Sequence, residues 1–413
     1  MKVTYIFLVL GCLMSCQFSS QTSSTLTVGV SSAPINPAIG SFIAGDKQNR
    51  VFTAVHDSLY AKAVVIKKEN EHLAIVTLDC IGLLYPDVLR IRKRAAELCA
   101  IDASRIIVSS THTHSGPDVV GIWGEDYQHT GVDSSYMNYL IHTTATQIQK
   151  AWNHQQTATT VTAETTFGEP WVQNICKEEL DPSVSVMQFR DVQDTPIVTL
   201  TNFACHPTFL DAHFSEVSAD YISGYYQTMN QLTGGESLFL QGAIGGWVQP
   251  EDEESSFKQA FLRGKELAEA VQNVMLTAQA QPHSDIAFKK MILKFPVENE
   301  GWKQLSAIGT INRPILDSVT TEICWFTIGA AEFATHPGET APYYGLETKK
   351  LMGKGPKFIM GLGNDALGYI LKPSFFEDPR IPHATYLTSM SVGKPTGSLL
   401  MQGLEQLIPD ATE

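Results

Sequence analysis

The sequence predicts an α/β fold in which mixed β-sheets are covered by helices, a layered α/β sandwich with its site at the carboxyl ends of strands. Three observations lead there. Strand-like apolar runs alternate with helix-like segments along most of the 413 residues. Short polar connections follow most of the strands. The residues with the most distinctive chemistry fall just past strand ends, where open α/β sheets collect their ligands.

The N-terminus stands apart from that pattern. Lys2 precedes an apolar run over residues 3–14, too short to span a bilayer and placed like a secretory segment. Ser15 followed by Cys16 resembles a bacterial lipoprotein processing site, which implies a signal peptide over 1–15, lipidation of Cys16 and a polar tether over 16–25. An ordinary signal peptide with a chance cysteine is the alternative. The expectation is an exported, cell-envelope lipoprotein held at the membrane by lipid alone, because no later run is long and apolar enough to cross it.

About 390 residues remain, enough for one large α/β domain, and 26–413 shows no proline-rich, serine-rich or charged linker. A net charge of −14 argues against nucleic acid, since phosphate recognition needs a basic face. Beyond Cys12 and Cys16 there are five cysteines (Cys80, Cys99, Cys176, Cys205, Cys324). Their odd number and irregular spacing point to buried thiols rather than a disulfide framework or a CxxC metal cluster.

In order, "HLAIVTLD" (72–79) reads as a buried strand. It is followed by a helix over 85–99, with Pro86 and Asp87 at its start and Val88, Ile91, Ala95 and Leu98 at helical spacing. "RIIVSS" (105–110) then completes a right-handed β-α-β unit. Helices are expected over 136–152, 219–232 and 255–277, the last carrying an apolar stripe of Phe257, Phe261, Leu267, Val271 and Val274 for core packing. Further strands are expected at 183–189, 196–204, 237–241, 323–329, 331–336 and 357–362.

"IVSSTHTHSGPD" (107–118) ends its strand on His112 and His114, which alternation sends to one face. Two imidazoles there form either a polar patch or part of a metal shell. His206 in "FACHPT", the glycine loop 242–246, Glu339 in "HPGET" and the stretch 364–369, "NDALGY", also follow strand ends. Hydrolytic zinc takes His and carboxylate ligands and leaves a position for water, whose acidity it raises. His112, His206 and Glu339 form such a set, although no HExxH signature places them. The alternative is that His114 and His206 are satisfied core histidines and Glu339 a helix-start acid.

"SSTHTHSGPD", "TNFACHPT" and "THPGET", in that order, resemble the motifs of the neutral ceramidase family, with support from "VGVSSAPINPAIGSFIAG", "VHDSLYAKAVVI" and "TLDCIGL". The resemblance spans roughly residues 26–372. It implies a zinc-dependent amidase that splits an N-acyl sphingoid base into fatty acid and free base. Carried onto this chain, it implies one Zn2+ bound by His112, His206 and Glu339. Tyr369 either ligates the metal or hydrogen-bonds the oxyanion. His114 lies beside the metal, donating to the carbonyl oxygen or moving a proton to the leaving group. Asp79 resembles an acidic position near the site, either orienting an imidazole or capping a helix.

Two departures stand out. Where long family members carry a "GDVSP"-like loop with a serine near the scissile bond, this chain has "QGAIGGWVQP" (241–250), with Gly246 and Gln249 in the acid and serine positions. Trp247 either lines a substrate pocket with Gln249 or anchors the loop. The family's C-terminal β-sandwich domain has no counterpart in 26–413.

Asp211, His213 and Asp220 read as a solvated loop and helix cap before a second metal. The polar run 123–136 is expected to flank the site. The functional expectation is zinc-dependent hydrolysis of an N-acyl lipid or related small molecule by attack of metal-bound water. A zinc hydrolase of esters or carbohydrate-linked groups and a metal-holding, non-catalytic binding protein are the alternatives. Oligomeric state is not legible.

Overall fold

The computed structural model describes residues 1, 25–251, 254–281 and 284–409. Cys16 and the segment around it lie outside the described residues. Among those described, no helix is long and apolar enough to cross a membrane.

Three sheets form the scaffold. The first orders its strands Ile106–Ser110, Glu71–Leu78, Tyr60–Lys68, Thr27–Pro34 and Gln156–Thr157. Its expected β-α-β unit is present: Glu71–Leu78 pairs in parallel with Ile106–Ser110, and the helix Tyr85–Leu98 crosses between them. Pro86 opens that helix, where its missing N–H is harmless, and Asp87 sits in the first turn. The second sheet orders Glu236–Gln241, Pro196–Phe203, Ser183–Arg190 and Thr159–Thr166. The third orders Ile286–Pro296, Ser318–Ile328, Ala331–Thr335 and Lys357–Met360.

One apolar cluster joins all three. Val64, Ile75 and Ile107 come from the first sheet, Met187, Leu200 and Leu238 from the second, and Phe326, Phe333 and Phe358 from the third. The three phenylalanines stack at centroid distances of 4.6 and 4.2 Å. Helices cover the other faces. Tyr221–Thr233 and Phe257–Met275 pack with their backbones close together. A Cβ on Gly264 would lie 1.8 Å from the carbonyl oxygen of Tyr221, and one on Gly224 would lie 2.3 Å from that of Phe261.

The expected stripe on Phe257–Met275 is therefore displaced. The buried residues are Ala260, Gly264, Leu267, Ala268, Val271 and Met275, while Phe261 is exposed. Close approach demands small residues on the contact face, so the large aromatic is turned aside. The strand expected at 323–329 begins earlier, at Ser318. None of the five cysteines expected to be thiols forms a disulfide among the described residues, Cys99 being half-buried and the others buried.

Three buried amides tie the sheets together beside the strand ends. Gln241 donates to the carbonyls of Thr111 and Cys205, linking the first sheet to the second. Asn202 donates to Leu240 and Ile359 and accepts from the Ile359 N–H, linking the second to the third. Asn364 accepts from the Val108 N–H and returns its own N–H to the Val108 carbonyl, linking the third to the first. A buried amide that loses a partner keeps the full desolvation penalty, so these links fix the spacing of the three strand ends.

Candidate metal centre

His112 lies two residues beyond the end of Ile106–Ser110, with φ of +69°, a left-handed conformation uncommon for a non-glycine residue. The turn is held by the His112 N–H on the carbonyl of Cys80, and it directs the imidazole inward. His112 Nδ1 lies 2.5 Å from the carbonyl oxygen of Ile81. His206, three residues beyond Pro196–Phe203, sets its Nδ1 2.7 Å from the carbonyl oxygen of Val248. His114 turns its Nδ1 to Asp211, 3.2 Å from Oδ1.

In each case the partner of Nδ1 is an acceptor, which assigns the proton to Nδ1 and leaves a lone pair on Nε2. The Nε2 atoms of His112 and His206 lie 3.3 and 3.2 Å from the same oxygen, Oε2 of Glu339. The Nε2 of His114 lies 3.4 Å from that of His112. Among the described residues, His112, His114 and His206 form the group whose donor atoms all fall within 4.8 Å of one another.

Three lone pairs and a carboxylate thus face each other with no hydrogen to share. A cation satisfies such a nest, and imidazole with carboxylate suits a divalent transition ion. The electrostatics agree. Burial opposes charge on His112, yet Glu339 outweighs it and raises the His112 pKa. Burial lowers that of His206, although Glu339 pulls the other way. Glu339 is held well below the usual carboxylate range, the two imidazoles overcoming its burial.

Glu339 comes from the short strand Glu339–Thr340, paired in parallel with Tyr369–Ile370, so glutamate and tyrosine sit side by side. Burial raises the Tyr369 phenol well above its ordinary value, and its hydroxyl is hydrogen-bonded to Glu339. The phenol oxygen also accepts the indole N–H of Trp247 at 2.7 Å.

The loop after Glu236–Gln241 touches three of these residues. The Gly245 N–H reaches the Thr340 carbonyl, and a Cβ there would lie 2.2 Å from the Glu339 carbonyl oxygen. Trp247 holds Tyr369, and Val248 holds His206.

A cavity of about 840 Å³ opens onto His112, His114, Glu339 and Tyr369. Its walls are largely apolar, from Ile81, Val120, Ile122, Trp302, Leu305, Ile311, Leu362 and Met390, and among the described residues they include no lysine or arginine. Trp123, Tyr127 and Gln128 of the polar run 123–136 line it, so that run flanks the site.

The other expected residues lie differently. Gln249 sits in the strand Val248–Pro250 opposite Gln173 and is not part of the cavity wall. Asp79 is fully buried, and its carboxylate accepts from the backbone N–H of Tyr60 at 2.8 Å and the hydroxyl of Tyr226 at 3.3 Å rather than from an imidazole. Asp220 caps the helix Tyr221–Thr233, and His213 is exposed.

Asp211 is the residue sequence reasoning undervalued. Its sequence context reads as a solvated loop, yet it orients His114 from 97 positions away, a contact no spacing rule finds. Arg50 holds the turn that carries it, donating to the carbonyls of Asp211 and Phe214 at 2.7 and 2.9 Å.

Comparison with known proteins bears on the fold. No protein-family model matches the chain, and no curated protein matches it. Solved structures do. A crystal structure of neutral ceramidase from Pseudomonas aeruginosa aligns with a TM-score of 0.73 at 15% identity, over 93% of this chain and 74% of that one. A ceramidase complexed with C2 aligns with a TM-score of 0.71 at 14% identity, over 93% and 75%. The chain therefore has the fold of these ceramidases across nearly its whole length.

Proposed function

We propose that the chain is a metal-dependent amidohydrolase that cleaves the amide of an N-acyl lipid or related N-acyl compound. One observation carries the reading: the Nε2 atoms of His112 and His206 converge on Glu339 Oε2, and His112 and Glu339 line a largely apolar cavity of about 840 Å³. Polar chemistry on the wall of an apolar cavity suits an amphiphile whose reactive bond adjoins its hydrocarbon chain. The ceramidase fold of the solved neighbours supports the same class.

His112, His206 and Glu339 would hold the metal, zinc by the chemistry of the donors, with Tyr369 beside them. When bound, the metal supplies a Lewis acid and raises the acidity of water at the site. The remaining work falls to the chain. The apolar wall seats the acyl chain and excludes water around the amide. Asp211 holds His114 with Nδ1 protonated, so Nε2 is free to take the proton of the attacking water. The same proton then passes to the departing nitrogen as the C–N bond breaks, leaving a carboxylic acid and a free amine. Tyr369 turns its hydroxyl from Glu339 to the carbonyl oxygen as charge develops there. Export with a lipid anchor on Cys16 belongs to this reading on sequence grounds alone.

The test is fatty-acid release from a panel of N-acyl amides, acyl esters and acylated sugars by purified, metal-loaded protein. Release from amides, lost in His114→Ala with metal retained, is expected. Turnover confined to esters or sugars would reassign the bond. No turnover together with ligand-induced stabilisation would leave a binding protein.

A further inference from the structure

The loop 242–248 carries a feature that metal binding alone does not require. Gly246 and Trp247 are both left-handed, with φ of +84° and +59°. A bulky residue there is an outlier, and such outliers persist only where surrounding contacts over-determine them. Those contacts are present. The Trp247 carbonyl accepts the Ile175 N–H at 3.1 Å, and its ring packs against His383 and Tyr386 at centroid distances of 4.4 and 5.4 Å. The consequence is an indole N–H aimed at the phenol oxygen of Tyr369.

We propose that Trp247 is a positioning residue that sets the direction of the Tyr369 hydroxyl. A phenol oxygen has one hydrogen and two lone pairs. With the indole N–H on one lone pair, the hydroxyl hydrogen is driven to the opposite side. That side is the cavity, where it meets Glu339 in the free protein and a substrate oxygen in the complex. Indole is suited to the task because it donates and cannot accept, so the hydrogen bond has a single polarity. A residue that both donates and accepts would let the phenol point back into the loop. The acid chemistry at Tyr369 rests on the amidohydrolase reading above. The indole–phenol geometry does not, and the test separates the two.

Trp247→Phe keeps an aromatic ring, though a smaller one, against His383 and Tyr386 and removes the donor. With the N-acyl substrate, kcat is expected to fall on the order of tenfold, the scale of a misplaced catalytic group, while KM and bound metal stay unchanged. Because Trp247 acts through Tyr369, adding Trp247→Phe to Tyr369→Phe should lose nothing further. The second readout needs no activity. In 15N-labelled protein the indole Nε1–H resonance of Trp247, identified by its absence from Trp247→Phe, should move upfield in Tyr369→Phe.

Unchanged kcat in Trp247→Phe, additive losses in the double variant, or an indole resonance unmoved by Tyr369→Phe would each overturn the proposal. Should Trp247→Phe fail to fold, Tyr369→Phe and the indole resonance decide it. If no N-acyl amide is turned over, the amidohydrolase reading falls and the indole resonance still decides this one.

Discussion

Asp211 places its Oδ1 3.2 Å from Nδ1 of His114, and among the described residues no other pairing at the site joins an imidazole to a carboxylate on its outward nitrogen. Burial pushes the Asp211 pKa up, but the hydrogen bond and charge of His114 together with Arg50 outweigh it, so the carboxylate stays ionised in neutral solution. It fixes one tautomer and one ring orientation of His114. Removal of such an outer partner typically lowers activity about 10- to 100-fold. Asp211→Ala should show a loss of that order in kcat with bound metal unchanged, measured by steady-state kinetics beside elemental analysis. Asp211→Asn, whose amide oxygen still accepts the Nδ1 proton, should lose less.

Gly45 packs against the same ring at Cγ and Nδ1, the edge that faces Asp211. Its backbone is left-handed, with φ of +89°, and a Cβ there would lie 2.6 Å from Cγ and Nδ1 of His114. Gly45→Ala adds strain and pushes the imidazole away from Asp211 at once. The expected result is a large loss of turnover with the metal retained, since His112, His206 and Glu339 are untouched. If Gly45→Ala keeps wild-type kcat, His114 does not need its observed position.

Glu339 lies between two Nε2 atoms, so it is the donor whose loss should most weaken the metal. Elemental analysis is expected to find one bound equivalent in wild-type protein and none in Glu339→Gln or His206→Ala. Binding to the folded state alone stabilises it by about 4 kcal/mol at roughly a thousandfold excess over Kd. Chelation should therefore lower the melting temperature of wild-type protein and leave that of Glu339→Gln unchanged. Wild-type protein insensitive to chelator and free of metal would remove the basis of the centre.

Leu305 faces the cavity from the helix Glu300–Ala307 and belongs to its apolar wall. Leu305→Asp puts a charge where an acyl chain would lie, and an unpaired charge in an apolar site is costly. KM for long-chain amides should rise tenfold or more on this reasoning, about 1.4 kcal/mol of lost binding, with little change for short-chain ones. An equal effect at every chain length would place the acyl group elsewhere.

The fold was legible where burial made the hydrophobic pattern strong. Glu71–Leu78, Ile106–Ser110 and Pro196–Phe203 are buried almost throughout and read as strands within a residue or two. Ile286–Pro296 escaped notice because it is the outer strand of its sheet. Lys289, Lys290 and Lys294 interrupt its apolar residues, and only pairing with Ser318–Ile328 makes it a strand. Thr159–Thr166 is hidden by its threonines and glutamate in the same way.

At the site, His112, His206 and Glu339 could be named because each follows a strand end and sits in a recognisable motif. The carbonyls of Ile81 and Val248 and the carboxylate of Asp211 could not. A backbone acceptor has no sequence signature, and Asp211 gains its role only when Arg50, 161 positions away, fixes its turn.

Asp79 gives a prediction about stability rather than turnover. Burial raises its carboxyl to about 7, against the pull of the Tyr60 N–H and the Lys62 ammonium. In the unfolded chain it titrates near the ordinary aspartate value of about 3.9. Between these values the folded state binds the proton and the unfolded state does not, so stability falls as pH rises, by up to about 1.4 kcal/mol per unit, and levels off above pH 7. Asp79→Asn mimics the protonated form and can still accept the Tyr60 N–H. The stability of the variant minus that of wild type should therefore grow by about 2 kcal/mol from pH 5.5 to pH 7.5, measured by urea unfolding at both. Contributions of the metal centre are common to both proteins and cancel in the difference. A gap that stays constant, or narrows as pH rises, would mean that Asp79 is ionised in the folded protein and that its buried charge is compensated, with Lys62 the nearest candidate.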